Sequence, residues 1–440
     1  VAPPRPTPRL ATALSRFALL AAAVLLIAGV VWIRRDPSLR PLLDIPVRKT
    51  SSTTPAAPGA KTTPLPSPDI RVALSDDAVR AASLRIDGPF TITLPGDTRV
   101  LQRGSQLTAA IELTAQGFQL GRLKIAATRI EIRSDRDPGL WVDDHLYRGR
   151  VRLLRVDAKS FRVINVLPVE TYLASVVDSE MPTAFGREAR SAQAVAARTY
   201  AYMSIRDARP AAGESTARDW DLFASVRSQK YLGVRYKDAN GSDLAGESAD
   251  SRAVVAATTG WVLTWKGALF RPYYAACCGG QTLRGDVLFP DAAPPHVGVR
   301  CPGCRDAKWY RWTVDLTRDE ANADLIRLAR TRGRSLKSIR STEELGPTAP
   351  DDVPRFRIRG DGGECETTGH ELRQALSKHG VMSPRFTIRA TKTGYHIEGR
   401  GHGHGAGLCQ WGARGLAAQG QSCREILARY YPGSTLVRAQ

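Results

Sequence analysis

Residues 166–202, VLPVETYLASVVDSEMPTAFGREARSAQAVAARTYAY, mark a change in the character of the chain. Ahead of them, from Ile70 to Val166, runs such as QLTAAIEL, RLKIAATRIEIR, GRVRLLRV and FRVINVLPV alternate apolar and polar residues between Gly, Asp and Pro, the pattern of short strands. From Val169 onward helices enter. PVETYLASVV fits a helical turn or two, and DSEMPTAFG reads as irregular because Pro182 and Gly186 interrupt it. Glu188 to about Ile205 carries small and apolar residues at helical spacing, an Ala-rich helix able to pack closely.

Further along, Asp207 to Ser225 reads as irregular. Strands are expected near residues 231–236, 261–274, 356–358 and 386–399, and helices over 318–332, 408–419 and 423–431. Strands and helices mix without a regular βαβ repeat, so the fold class is α+β, with mixed elements around a substrate groove.

The N-terminus adds another layer. FALLAAAVLLIAGVVWI, Phe17 to Ile33, is free of charge and flanked by Arg16 and by Arg34 and Arg35. About 17 apolar residues is the lower end of a bilayer-spanning helix, so a retained single transmembrane anchor is expected over a cleaved signal peptide. Positive charge on both sides leaves the orientation open by the positive-inside rule. TSSTTPAAPGAKTTPLPSPD, Thr50 to Asp69, has almost no large apolar residue and reads as an extended tether. The expected division is a tail (1–16), an anchor (17–33), a tether (34–69), a β-rich module (70–147) and a catalytic domain (148–440).

The 440 residues hold 63 Lys and Arg against 43 Asp and Glu, a formal charge of +20, with 42% hydrophobic residues, enough for a real core. Such a surface favours polyanions: nucleic acid, an anionic membrane or the bacterial cell wall. A concentrated basic stripe or a recognised reading module is missing from the sequence, which speaks against nucleic acid.

Two stretches carry candidate chemistry. Glu180 lies between Val176, Val177 and Met181, Pro182, just ahead of the Ala-rich helix. A carboxyl there would be partly desolvated and would hold a proton near neutral pH, as a general acid must; the plainer reading is a helix-entry residue. The other stretch is EGRGHGHGAGLCQWGARGLAAQG, Glu398 to Gly420, where alternate glycines suit close approach by an extended ligand. His402 and His404 would share one face if this segment is a strand. A phosphate loop is a poor match to its spacing, and a metal pair or hydrogen-bonded core histidines remain open.

VLPVETYLASVVDSEMP followed by EARSAQAVAARTYA, together with GRGHGHGAGLCQWGARGLAAQGQSCREILARYYPG, closely resembles the stage II sporulation protein D family, which includes the amidase enhancers of bacterial cell walls. The likeness spans roughly Arg148 to Gly433, with ELRQALS and SPRF matching in between. It implies a membrane-tethered lytic transglycosylase acting on peptidoglycan glycan strands, with the body on the extracytoplasmic side. Glu180 would be the single acid/base, and no cofactor is required for catalysis. The substrate's own C6 hydroxyl is the nucleophile, so no second carboxylate is needed, unlike ordinary glycosidases. Gln193, Arg198, Tyr200, His404, Gln410 and Trp411 would line the sugar groove, Trp411 by stacking on a sugar ring; Arg198 reads equally as a structural ion pair. Relatives often carry an aromatic where this chain has His402, a departure that bears on the shape of the groove. The amidase-enhancer side of the family implies a second reading, a non-catalytic peptidoglycan-binding module that stimulates a cell-wall amidase.

Cys277, Cys278, Cys301 and Cys304 form a cluster with metal-like spacing, although adjacent cysteines are poor joint ligands. A structural zinc is expected, because CGG and C-P-x-C elements recur among the relatives; disulfides suit an exported domain and stay open. Cys365, Cys409 and Cys423 bring the total to seven, so at least one is outside any internal disulfide. Cys409 with His404 as a thiol peptidase dyad is a third reading, weakened by the lack of a group to orient the histidine.

Overall fold

The computed structural model describes residues 67–209 and 217–439. The expected tail and anchor, and nearly all of the tether, lie outside them. Among the described residues no helix is long and apolar enough to cross a membrane.

Two antiparallel-rich sheets make the N-terminal half. The seven-stranded sheet runs, in spatial order, through 222–223, 69–73, 161–168, 150–155, 129–134, 90–93 and 100–104. Its strand Arg129–Ser134 shows why the alternation was readable: Ile130 and Ile132 are buried while Arg129 and Arg133 face water. Phe161–Pro168 differs, being buried on both faces over seven of its eight residues. An eight-stranded sheet covers residues 83–86, 107–113, 118–125 and 140–147 and continues into 235–237 and 243–245. Asp69–Ala73 pairs with Phe161–Pro168, and His145–Tyr147 pairs with Arg235–Lys237. A boundary at residue 147 therefore cuts across both sheets, and 70–147 and 148–440 fall in one compact unit, residues 64–440.

Pro168 ends the central strand and stands at the N-cap of helix α1, Val169–Glu180. This corrects the expectation of an irregular DSEMP: the helix runs on to Glu180 and stops because Met181 is extended ahead of Pro182, the conformation that a following proline favours. Gly186, at φ 83°, then opens α2, Arg187–Ala208. Its alanines 189, 192, 194, 196, 197 and 201 are fully buried. Small side chains let α2 pack close to α1 and to α3, Ala249–Ala257. Two arginines are buried with them. Arg190 pairs with Asp178 of α1 and Asp250 of α3, and Arg198 grips Glu170 of α1 through Nε and Nη2, both at 2.8 Å.

The C-terminal part has its own core around Leu325, Phe356, Tyr395 and Ile397. Here α4, Arg318–Thr331, and α5, Gly369–Leu376, each begin with a capping box, Thr317 with Glu320 and Thr368 with Glu371. They pack on two three-stranded sheets, 312–317/394–399/386–390 and 341–346/355–360/363–368. The chain closes with α6, Gln410–Ala418, and α7, Cys423–Tyr430. The α+β class thus stands, in the form of two sheets at one end and helices with small sheets at the other.

Candidate active site

Glu180 is the last residue of α1, and three segments converge on its carboxyl. The Lys230 backbone N–H donates to Oε1 at 3.0 Å, the Tyr274 hydroxyl donates to Oε1 at 3.4 Å, and Gln410 Nε2 donates to Oε2 at 3.1 Å. All three donors are uncharged groups. Burial pushes the Glu180 carboxyl above its ordinary pKa, and the three hydrogen bonds and the nearby Lys230 charge, which favour the anion, offset this only in part. Its place at a helix C-terminus, the negative end of the dipole, acts in the same upward direction. The residue as a whole still keeps partial exposure, which leaves the acid approachable.

Behind the carboxyl runs a buried polar chain that the sequence reading missed. Tyr172 donates to Gln229 Oε1 at 3.1 Å, and Gln229 Nε2 donates to the Tyr274 hydroxyl at 3.1 Å. Gln229 Nε2 also reaches the Ala197 carbonyl of α2 at 3.3 Å. Tyr274 and Gln229 come from RPYYAA and RSQKYLG, stretches whose only local signal was a polar residue beside a run of apolar ones.

The other candidate residues separate into two groups. Gln410 joins Glu180 to Gln193, donating to Gln193 Oε1 at 3.4 Å, and Gln193 Nε2 is buried with no partner among the described residues. Trp411 is half-buried, packed edge-on against Phe185 with ring centroids 5.1 Å apart, and the Arg414 guanidinium lies 5.0 Å from its ring. Gln410 touches the carboxyl and Gln193 is joined to it through Gln410, while Trp411 follows Gln410 on α6. Arg198 stands apart: it is fully buried in its ion pair with Glu170, the structural one of the two readings. Tyr200 lies under Arg271, and His404 sits edge-on to Phe289 and Tyr273 at 5.0 and 5.9 Å. Burial lowers the His404 pKa to about 3, so its ring is neutral near neutral pH.

His402 and His404 do not share a face. Gly401, Gly403, Gly405 and Gly407 all take positive φ, so the segment leaves strand geometry between Gly399 and Leu408. At Gly407 a Cβ would lie 1.9 Å from the Tyr273 carbonyl oxygen. His402 turns to Trp309, ring centroids 4.7 Å apart, and its backbone bridges Cys277.

The cysteines do gather, with one substitution. Sγ atoms of Cys278, Cys301, Cys304 and Cys409 all lie within 4.8 Å of one another, and each residue is buried. Cys409 thus takes the place expected for Cys277, whose side chain stays beside Cys304 and Cys409 without joining the mutually close four. Cys278 and Cys304 sulfurs are 3.8 Å apart, about the edge of a tetrahedron with 2.3 Å metal–sulfur bonds. Gly412 N–H and Cys278 N–H both donate to Cys409 Sγ at 3.3 Å, and Tyr430 Oη is 3.1 Å from Cys301 Sγ. Cys409, closed in this quartet, is not available to His404, which removes the thiol-dyad reading. Cys409 also N-caps α6, so the quartet holds the helix that presents Gln410.

The sequence is similar to several known proteins. A family profile described as stage II sporulation protein matches residues 157–265, which carry α1, Glu180, α2 and Gln229. A second, described as a domain of unknown function, matches residues 303–407. An uncharacterized protein of Brachyspira hyodysenteriae is 33% identical over 82% of this chain and 94% of its own length. Stage II sporulation protein D of Bacillus subtilis is 27% identical over 62% of this chain and 75% of its own, and the amidase enhancer of the same organism 26% identical over 60% and 40%. Fold and site define a protein with a part-buried acid presented at a helix end. The chain belongs to the stage II sporulation protein D and amidase-enhancer family.

Proposed function

We propose that the protein is a peptidoglycan lytic transglycosylase with Glu180 as its sole acid/base. The carrying observation is a solvent-approachable carboxyl whose pKa is raised by burial and which is aimed by three neutral donors, with no cation at hydrogen-bond distance among the described residues. As the acid it gives its proton to the glycosidic oxygen between N-acetylmuramic acid and N-acetylglucosamine while the bond from muramyl C1 to that oxygen breaks. As the carboxylate it takes the proton of the muramyl C6 hydroxyl, whose oxygen bonds to C1 and closes the 1,6-anhydro ring. No water is consumed and Glu180 ends protonated. Gln410 and Tyr274 orient the carboxyl, and Trp411 offers an apolar face to a sugar ring. The apolar segment 17–33 would tether the body at the extracytoplasmic face of the cell membrane.

The quartet fits zinc as a structural ion: Cys278, Cys301, Cys304 and Cys409 would hold it, with the N–H donors to Cys409 as the supporting shell. Its part is to fix the start of α6. Metal analysis of the purified chain should find one equivalent of zinc, and chelation should lower the melting temperature.

The relative named an amidase enhancer favours one rival, a non-catalytic partner of a cell-wall amidase. Mass spectrometry of glycan strands, bare and with stem peptides, incubated with the full chain and with Glu180→Gln, separates the two. Anhydro-muramyl ends formed by the wild type and absent with the variant support the transglycosylase. Intact strands in both would leave the enhancer reading.

A further inference from the structure

Gln193 lies on α2 with none of its surface exposed, between the equally buried Ala192 and Ala194, and Gln410 is buried as well. A side chain so enclosed reaches no sugar directly; what it reaches is Gln410. Gln410 Nε2 donates to Gln193 Oε1 at 3.4 Å, and the same nitrogen donates to Glu180 Oε2 at 3.1 Å. The amide nitrogen of Gln193 is left without a partner among the described residues. A buried donor without a bond costs stability, and an apolar side chain of the same length would avoid that cost. Packing therefore does not account for Gln193, and its oxygen is the part that acts.

The carboxyl shows what that oxygen does. A carboxylate offers about four lone-pair sites, two on each oxygen. Those on Oε1 face the Lys230 N–H at 3.0 Å and the Tyr274 hydroxyl at 3.4 Å. The first is a backbone donor and cannot turn to accept. The second is held as a donor, because its own oxygen takes a bond from Gln229 Nε2 at 3.1 Å. Oε1 thus stays an acceptor in both protonation states, and the proton belongs to Oε2. Gln410 occupies one site of Oε2 and leaves the other for the proton.

This holds only while Gln410 presents its nitrogen. With its amide turned over, the carbonyl would accept the acid's own proton and draw it away from a substrate, and the carboxylate left after transfer would face an oxygen in place of a donor. Gln193 Oε1 opposes the turn, since two amide oxygens would then meet. Reversal is possible only if both enclosed amides turn in concert.

We propose that Oε2 is the oxygen of Glu180 that gives and regains the proton, and that Gln193 is the positioning residue that holds the Gln410 amide with its nitrogen toward the carboxyl. The proposal rests on the reading of Glu180 as the acid/base. The O–H bond at Oε2 breaks as the glycosidic oxygen takes the proton, Gln410 donates to the carboxylate so formed, and Oε2 then takes the proton of the C6 hydroxyl. Neither amide gains or loses a proton.

Gln193→Met in the full chain tests it. Met matches Gln in length and removes the unbonded nitrogen, so the circular dichroism spectrum and melting temperature should stay close to those of wild type. Isotope-edited NMR of the glutamate carboxyls, with the Glu180 signal identified as the one missing in Glu180→Gln, should show the Glu180 titration displaced to higher pH in the variant, because a free Gln410 carbonyl stabilises the acid. Lys230, Tyr172 and Tyr274, the titratable neighbours of that carboxyl, are the same in both chains, and burial keeps the two phenols neutral over this range. On glycan strands the variant should lose about tenfold in kcat at unchanged KM, with the alkaline limb of the profile moved upward. An unmoved Glu180 titration overturns the assignment whatever the strands do. So does a raised KM at full kcat, which would make Gln193 a sugar contact. A displaced titration in chains that leave every strand intact would sink the transglycosylase reading and keep Gln193 as the residue that sets the carboxyl.

Discussion

The two ends of α1 carry the same side chain in opposite circumstances. At its start Glu170 is held by Arg198 through two 2.8 Å bonds, a complete charge pair in a helix-packed interior. At its end Glu180 meets the Lys230 amide, the Tyr274 hydroxyl and the Gln410 amide, with no counter-charge at hydrogen-bond distance among the described residues. A paired carboxylate at a helix N-terminus builds structure; an unpaired one at a C-terminus is kept ready to hold a proton. Being glutamates of one helix, they show that residue type and helix membership decide neither role. The partner does.

That contrast can be broken by experiment. Glu180→Gln should abolish strand cleavage, a loss on the order of 10²–10⁴ or more in rate, while the fold persists. Its effect on stability has the opposite sign to the usual core variant. Because the folded pKa of Glu180 is raised, the folded chain holds that proton more tightly than the unfolded one. The resulting cost is absent below the ordinary carboxylate range, grows as pH rises to the folded pKa, and is fully present above it. Thermal melts should therefore show Glu180→Gln above wild type at pH 7.5 and the gap closed near pH 3.5.

The Glu170 end predicts the reverse. Arg198→Met leaves Glu170 without its partner and should cost about 3–5 kcal/mol in a denaturant titration, with cleavage per folded molecule little changed. A large loss of turnover at full stability would instead make Arg198 a groove residue.

Gln410→Leu sharpens the comparison more gently. Removing a donor to the anion raises the Glu180 pKa further, so the alkaline limb of the rate profile should move to higher pH while the plateau falls about tenfold. Tyr274→Phe should show the same direction with a smaller shift, since its bond is the longer at 3.4 Å.

Much of this was legible in order along the chain. Strands such as Arg129–Ser134 announce themselves by alternation, and α4, α6 and α7 by helical spacing and caps. Glu180, Gln193, Gln410 and Trp411 were readable as a set because they lie in two long motif blocks. Gln229, Lys230 and Tyr274 were not, since their roles consist of contacts made across 32 to 94 residues of sequence. The extension of α1 through Glu180 was missed because Pro182 marks a stop without saying which residue before it is the last helical one.

The sequence by itself determined the α+β class, the candidate acid and the metal-like cysteine spacing, because periodicity, composition and motif are local properties. Only the tertiary structure decided that Arg198 is a strut, that Cys409 replaces Cys277 in the quartet, and that the two histidines part company. Each of those outcomes depends on which side chain faces which across a fold, and in the Gly-rich segment on alternate positive φ angles that reset the direction of every residue between them.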